Sequence, residues 1–408
     1  MTPQVIVIGA GAAGLMAAIS AREAGAEVAL LERTVDGGRK ILISGGGRCN
    51  VLPSTAAPGR FVSESAPSLL RSLLGAWPLA AQQRFFVRDH GIALALEDGS
   101  GKLFPASNRA RDVRDGLVAR ARACGVGLRF GSAVTAVERR GERWLVRTAD
   151  GELAGTRVVI ATGGLSVPKT GSDGFGLALA RALGHVVQPT YAALTPLTDS
   201  PPAHVDLAGV SLAVRLDATS ARERSRAAGG FLFTHRGYSG PSVLDVSHVA
   251  VRSQWPGADL ATVRVAWTAM DATAWRTELA ESRGRVSNAV SRHLPQRLAE
   301  MLVHEAGIPD DRTCGQLRRE ERTALVRALT EYVLPWTGDE GYRTAEVTGG
   351  GVALDEVHRG TLESRRTPGL YFCGEVLDAF GPIGGHNFSW AWSTGRTAGL
   401  AAAAGTPA

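Results

Sequence analysis

The chain has 408 residues, 44% of them hydrophobic and 21% charged, with 50 glycines. That length supports two or three domains, each able to bury a core. The glycines cluster without a three-residue period, which excludes a collagen-like chain and argues against low-complexity disorder. The net charge of +6 comes from 45 basic and 39 acidic residues, of which only Lys40, Lys102 and Lys169 are lysines. This arginine bias weakens the overall charge as a pointer to nucleic acid, but its distribution is uneven. Residues 36–147 hold 18 basic and 9 acidic side chains, whereas residues 186–345 hold 18 of each. A local basic surface attracts anions, whether cofactor phosphates or RNA.

Cys49, Cys124, Cys314 and Cys373 are far apart in sequence and form no CxxC, so neither a zinc ribbon nor a redox dithiol is signalled and no metal site is expected. A chain of this size needs no disulfide staples, which fits a reducing cytosol. Residues 1–21 are uncharged but lack a basic leader, and their glycines suit a strand, loop and helix better than a signal or membrane span. A cytoplasmic chain with no membrane partner is expected, frayed only at 401–408.

Residues 4–8 (QVIVI) read as a buried β-branched strand that runs directly into Gly9-Ala10-Gly11-Ala12-Ala13-Gly14. An alanine-rich helix to about residue 24 follows, then a second strand ending in Glu32, 23 residues after Gly9. This is the strand–glycine loop–helix–strand–acid unit of a dinucleotide-binding fold. Gly9 permits the tight turn, Gly11 lets the backbone approach a pyrophosphate, and Gly14 allows close helix–strand packing. The helix start supplies amides for the phosphates, with Ala12 and Ala13 in its first turn, and Glu32 accepts from ribose hydroxyls.

The stretch after Glu32 favours FAD over NAD as the resident cofactor. Arg33, Lys40 and Ser44 lead into Gly45-Gly46-Gly47-Arg48-Cys49-Asn50, a loop whose three glycines let amides approach a flat ring or phosphate. Val134 stands where a backbone contact to adenine is expected. A strand over 157–160 closes in Ala161-Thr162-Gly163-Gly164, the second flavoprotein signature. The third is a strand over 369–373 ending in Gly374 and Glu375, then Asp378, Gly385, His386, Asn387 and Phe388, and a helix over about 389–403. Glu375 or Asp378 is expected on the ribityl hydroxyls, and the helix start near Asn387 on the flavin N1/C2 edge, where charge accumulates on reduction.

Between these signatures the pattern changes. Residues 186–272 read as a β-rich insert and 273–345 as a helical insert, leaving a flavin domain from 1–185 and 346–408. The fold class is therefore α/β: a Rossmann-type two-dinucleotide-binding flavoprotein fold carrying a β-rich and a small helical insertion. His304-Glu305 lacks the second histidine of HExxH, and Gly237-Tyr238-Ser239-Gly240 lacks the spacing of a hydrolase elbow. No second Rossmann unit is visible, so NAD(P)H is expected as a transient reductant.

These segments together resemble one family, the YhiN-like (BaiN/RdsA-type, HI0933-like) NAD(P)/FAD-dependent oxidoreductases. The resemblance rests on residues 40–50, Leu103-Phe104-Pro105, residues 163–185, Leu194-Thr195-Pro196-Leu197, Phe233-Thr234-His235 to Pro241, Thr348 to Val352 and residues 369–399, and it covers nearly the whole chain. His386 departs from it, standing where relatives usually carry tyrosine, which marks a divergent branch. The resemblance implies hydride transfer from reduced flavin to an activated carbon–carbon double bond. The favoured substrate is uridine in ribosomal RNA or its precursor, giving dihydrouridine. The alternatives are a small enone such as a steroid- or bile-acid-like compound, or a flavin-binding RNA-assembly protein without turnover. The expected proton donor is Cys49, with His235 and His386 as other choices, while Arg48 steadies reduced flavin or a substrate phosphate, or anchors its loop.

Overall fold

The computed structural model describes residues 4–405. They form two compact units, one from 4–190 with 347–405 and the other from 191–346.

The first unit is built on a five-stranded sheet in the order Leu370–Phe372, Arg157–Ile160, β1 (Val5–Ile8), β2 (Val28–Glu32), Gly127–Phe130. All four pairings are parallel. β1 and β2 are buried along their whole length, so they read as unbroken apolar runs and not as alternating ones. The chain leaves β1 toward β2 on one side and returns to Arg157–Ile160 on the other. The carboxyl ends of β1 and Arg157–Ile160 therefore flank a topological switch point, where open α/β sheets bind ligands.

Helix α1 (Ala12–Glu23) follows β1 and is buried from Ala13 to Ala21. It touches the sheet and also the 19-residue helix His386–Ala404. That helix is longer than its predicted span, starting at His386, and continuing through much of the stretch expected to fray; residues 406–408 lie outside the described residues. The two helices meet backbone to backbone. A Cβ on Gly395 would lie 2.3 Å from the Ala13 carbonyl oxygen, and one on Gly399 would lie 2.2 Å from that of Ala17. One helical turn separates each pair of small residues, so the contact is a double small-residue seam.

The second unit holds a seven-stranded sheet in which Ser211–Thr219, Arg224–Thr234 and Thr262–Ala266 pair antiparallel. The strands and helices expected as two inserts share one hydrophobic core, with Phe231, Phe233 and Val265 from strands and Trp275, Leu298 and Leu325 from helices. Strands Tyr332–Val333 and Gly338–Asp339, which come after the helices, return to the same sheet. The stretch expected to be β-rich also contains a helix, Pro241–Arg252. Its β-branched content suggests strand, but Val243, Val246 and Val249 recur at three-residue steps and bury one helical face.

Alanine for glycine in an exposed helix interior normally gains about 0.8–1 kcal/mol. Gly395→Ala should instead lose about 1–3 kcal/mol in chemical denaturation, because its new methyl overpacks the Ala13 carbonyl. A neutral or stabilising result would show that the helices are not in backbone contact.

Burial, with help from Arg120, Arg252 and Arg60 respectively, lowers His90, His248 and His386 to about 4. Folded, they stay neutral while unfolded histidines begin to protonate near 6.5. Stability should therefore be flat above pH 6.5 and fall as pH drops toward 4.5, by at most about 1.4 kcal/mol per pH unit for each histidine. Carboxylates held down in the folded chain, such as Glu278 and Glu356 on their arginines, add a loss of the same sign as pH approaches 4.5. Urea midpoints of each unfolding transition at pH 7.5, 6.5, 5.5 and 4.5 check this, and midpoints independent of pH would contradict it.

Candidate functional site

The turn after β1 is shaped by what its glycines exclude. Gly9 has φ +101°, and a Cβ there would meet the Ala161 carbonyl oxygen at 2.5 Å. One on Gly14 would lie 1.8 Å from the Gly9 carbonyl oxygen. Both positions press the loop and α1 onto the sheet. Gly11 differs: a Cβ there would meet nothing within 4 Å, and the residue is the N-cap of α1 with no side-chain capping bond. The first-turn amides thus have no side-chain cap, the condition for binding an anion at a helix start.

Glu32 ends β2 and is buried. Its Oε2 accepts from the Ala10 amide at 2.8 Å, and Oε1 accepts from the amide and hydroxyl of Thr34 at 2.8 and 2.7 Å. Three of about four acceptor sites are used, leaving one on Oε2 for a ribose hydroxyl. Val134 begins the antiparallel sheet Val134–Arg140, Arg143–Thr148, Gly151–Gly155. The adjoining Ser132 amide donates to the Glu32 carbonyl at 2.8 Å, so the 131–134 turn is held beside the acid. Arg33 is half-turned away, in an ion pair with Asp173.

The second and third signatures meet in a polar cluster. Lys40 Nζ donates to Glu375 Oε2 at 2.7 Å and to Ser166 Oγ at 2.6 Å. Ser166 Oγ donates to Glu375 Oε1 at 2.7 Å, and the Thr348 amide to the same oxygen at 3.0 Å. Thr348 Oγ1 in turn accepts from the Leu165 and Ser166 amides at 2.7 and 3.0 Å. Gly164 is glycine for this reason: its Cβ would lie 2.4 Å from Thr348 Oγ1. Ser166 and Thr348 are not among the expected site residues, although each lies beside a glycine run in a stretch that carries the family resemblance. Thr162 Oγ1, in the second signature, is buried with no protein partner.

Gly45, Gly46 and Gly47 are exposed, with φ of +55°, +66° and +84°. This open left-handed backbone, which follows Ser44, suits close approach of a ring or phosphate. Asn50, oriented to satisfy both partners, donates to the Leu52 carbonyl and accepts from the Gly385 amide, each at 3.2 Å. The glycine loop is thereby tied to the start of helix His386–Ala404, whose N-cap Gly385 also lacks a side-chain cap. Phe388 stacks on Trp392 at 5.3 Å. Gly374 has φ +76° and leaves no room for a Cβ against that of Ala13, 2.7 Å away.

Several expected roles are corrected. Cys49 has 0% exposure and joins the hydrophobic core. A group with no surface in a ligand-free structure has none to offer a ligand, and burial pushes its thiol up to about 12. It is neither a flavin contact nor a ready proton donor. Asp378 is 2% exposed and accepts from Ser63 Oγ and the Glu64 amide at 3.1 and 2.9 Å, so it fastens the 63–64 segment and is not free for ribityl hydroxyls. Glu375 keeps partial exposure, but its carboxylate is largely occupied by the cluster above. Arg48 lies over the Phe104 ring at 4.0 Å and pairs with Glu97 at 2.8 Å, an anchor for its loop. Asn387 folds back on the Gly381 amide and carbonyl, both at 2.9 Å. His386 is buried at 7% exposure beside Phe61 and is uncharged near neutral pH, while His235 sits exposed in the turn between strands Arg224–Thr234 and Gly237–Ser239 of the second unit.

The remaining arrangement fits a dinucleotide such as FAD. Uncapped amides at α1, an acid with one open acceptor site and an exposed glycine loop adjoin the sheet switch point. Among the described residues no group of His, Cys, Asp and Glu is arranged to hold a metal, and no helix is long and apolar enough to cross a membrane.

Residues 3–401 match the family described as HI0933-like protein Rossmann domain. The chain is 38% identical over 403 residues to the ribosomal RNA dihydrouridine synthase of Escherichia coli (strain K12), covering 95% of each. It is 30% identical over 406 residues to the 3-dehydro-bile acid delta(4,6)-reductase of Clostridium scindens, covering 97% of this chain and 98% of the relative. Among solved structures, the open conformation of a flavocytochrome c3 fumarate reductase aligns with a TM-score of 0.51 at 17% identity, over 99% of this chain and 78% of the other, a likeness of fold. The chain belongs to the HI0933-like Rossmann-domain family and is an oxidoreductase.

Proposed function

We propose that the protein is an FAD-dependent reductase that saturates the C5=C6 bond of uridine in ribosomal RNA. One observation carries the reading: the dinucleotide cradle occurs in a chain 38% identical, across nearly all its length, to a ribosomal RNA dihydrouridine synthase. In this reading the α1 amides hold the pyrophosphate, Glu32 holds a ribose hydroxyl, and the Val134 backbone meets adenine. The glycine loop 45–47 and the start of helix His386–Ala404 line the ring.

FAD bound here and reduced by NAD(P)H would supply a hydride from N5. Saturating uracil would then take that hydride on one carbon and a proton from water on the other. Lys40, Ser166 and Thr348 fix the backbone beside the second and third signatures, so the ring's surroundings are held before substrate arrives. His386, uncharged at neutral pH, is suited to orient a carbonyl through its one N–H and poorly suited to release a proton. The 30% identity to the bile-acid reductase supports a second substrate class, a small conjugated enone reduced by the same hydride transfer.

The purified protein should be yellow and release FAD, not FMN, on denaturation. Glu32→Ala should weaken FAD retention by roughly 1.5–3 kcal/mol, the worth of a hydrogen bond to a charged group. Colourless protein that cannot be reconstituted with FAD would overturn the cofactor assignment. Mass mapping of ribosomal RNA from a deletion strain tests the substrate. A uridine mass should replace one dihydrouridine mass and revert on complementation, whereas an unchanged map would move the assignment to the small enone.

A further inference from the structure

The second unit carries 18 basic and 19 acidic residues, but its sheet distributes them unequally. Along Ser211–Thr219 and Arg224–Thr234, buried residues such as Val214, Leu216, Ala227 and Phe231 alternate with exposed ones. The register places Arg226, Asp217 and Arg264 side by side across three strands, with Arg215 in the next row and Arg224 in the row on the other side. Directly paired residues share a face, so this outward face holds four arginines and one acid. Rows on one face are about 7 Å apart and strands about 4.8 Å, which confines all four guanidinium groups to one compact patch.

Asp217 does not neutralise it. Arg224 and Arg226 both pair with that single carboxylate, and the Arg224 contact leads in holding it down to about 2, so the patch charge is constant across the physiological range. Arg215 and Arg264 are exposed and have no ion pair among the described residues. Ala228 stands beside Arg215, and Ala213 in the row beyond it, exposed small residues that leave this part of the surface flat. No aromatic side chain points out from it. Val333, opposite Arg264, is exposed, but a lone valine falls short of the aromatic and apolar anchors of a protein interface, and the face lacks the stacking rings that grip unpaired bases. It suits phosphates, which a guanidinium fork binds bidentately.

We propose that this face of the sheet docks the phosphate backbone of the RNA substrate, without reading its sequence. The proposal rests on the RNA reading above and adds where the polymer is held. Such a surface is superfluous for a reductase of small enones.

The test is binding of protein-free ribosomal RNA at several salt concentrations by the full-length, FAD-loaded protein. Arg215→Ala with Arg264→Ala removes two charges without orphaning an acid. Near 0.1 M salt, affinity should fall roughly ten- to a hundredfold, and the slope of log K against log salt should become shallower by about 1.4–1.8. FAD content and melting temperature should match the parent, and Arg215→Lys with Arg264→Lys should restore the slope. If the parent binds and the alanine pair binds equally well with the same slope, the surface is wrong while the RNA reading stands. If the parent does not bind ribosomal RNA at all, both fall. Competition by polyglutamate as effective as by RNA would indicate a face for acidic protein and would also overturn the proposal.

Discussion

Backbone contact between α1 and helix His386–Ala404 is the constraint on which the rest of the first unit depends. Gly395 and Gly399 bring one helix onto the Ala13 and Ala17 carbonyls of the other, closer than any pair of larger residues allows. The two helices run in the same direction, but Ala13 is the second residue of α1 and Gly395 the tenth of its partner, so their starts are staggered by about 12 Å along the axis, and glycine precedes each start. Neither N-cap has a side chain to satisfy the first amides. Two partial positive charges are left available together, one placed for phosphate and the other for the electron-accepting end of a ring. The same absence of side chains thus produces both the tight packing and the unfilled hydrogen-bonding capacity.

The polar cluster of Lys40, Ser166, Thr348 and Glu375 does complementary work. Its members come from four separate stretches of chain, and every contact in it is a hydrogen bond of 2.6–3.0 Å. A partly buried ion pair contributes little net stability by itself, but removing one partner leaves the other unmet and costs several kcal/mol. Its value here is registration: the loop after β2 cannot slide relative to the second and third signatures while Lys40 remains on Glu375.

The β1–α1–β2 unit is legible in sequence because its determinants are local. Glycine spacing, a β-branched run and an acid at the strand end all act within thirty residues, and each lands within one or two positions of its predicted place. Cys49 is not legible in the same way. Its position in the glycine loop suggests a flavin contact, but its backbone adopts φ +60°, and its side chain lies in the core. No local rule predicts that choice. Asp378 fails for a related reason: its partners, Ser63 and Glu64, are distant in the chain and are named only once it folds, as are Phe104 and Glu97, which favour the loop-anchor alternative for Arg48. The helix Pro241–Arg252 shows tertiary packing overriding β-branched propensity. The arginine face of the second unit is invisible to any segment count, since it exists only in the cross-strand register.

The order of strands in the parallel sheet also has a temporal meaning. Strand Arg157–Ile160 pairs on one side with β1 and on the other with Leu370–Phe372. During synthesis it waits for that second neighbour while some two hundred residues are added, roughly 10–40 s at 5–20 residues per second. Throughout that interval an apolar strand presents an open edge to other nascent chains. The intervening 191–346 stretch is contiguous and can close its own core meanwhile. The helix that brings Gly395 and Gly399 onto α1 emerges later still, so capture of a cofactor by a finished cradle waits until residue 404 has left the ribosome.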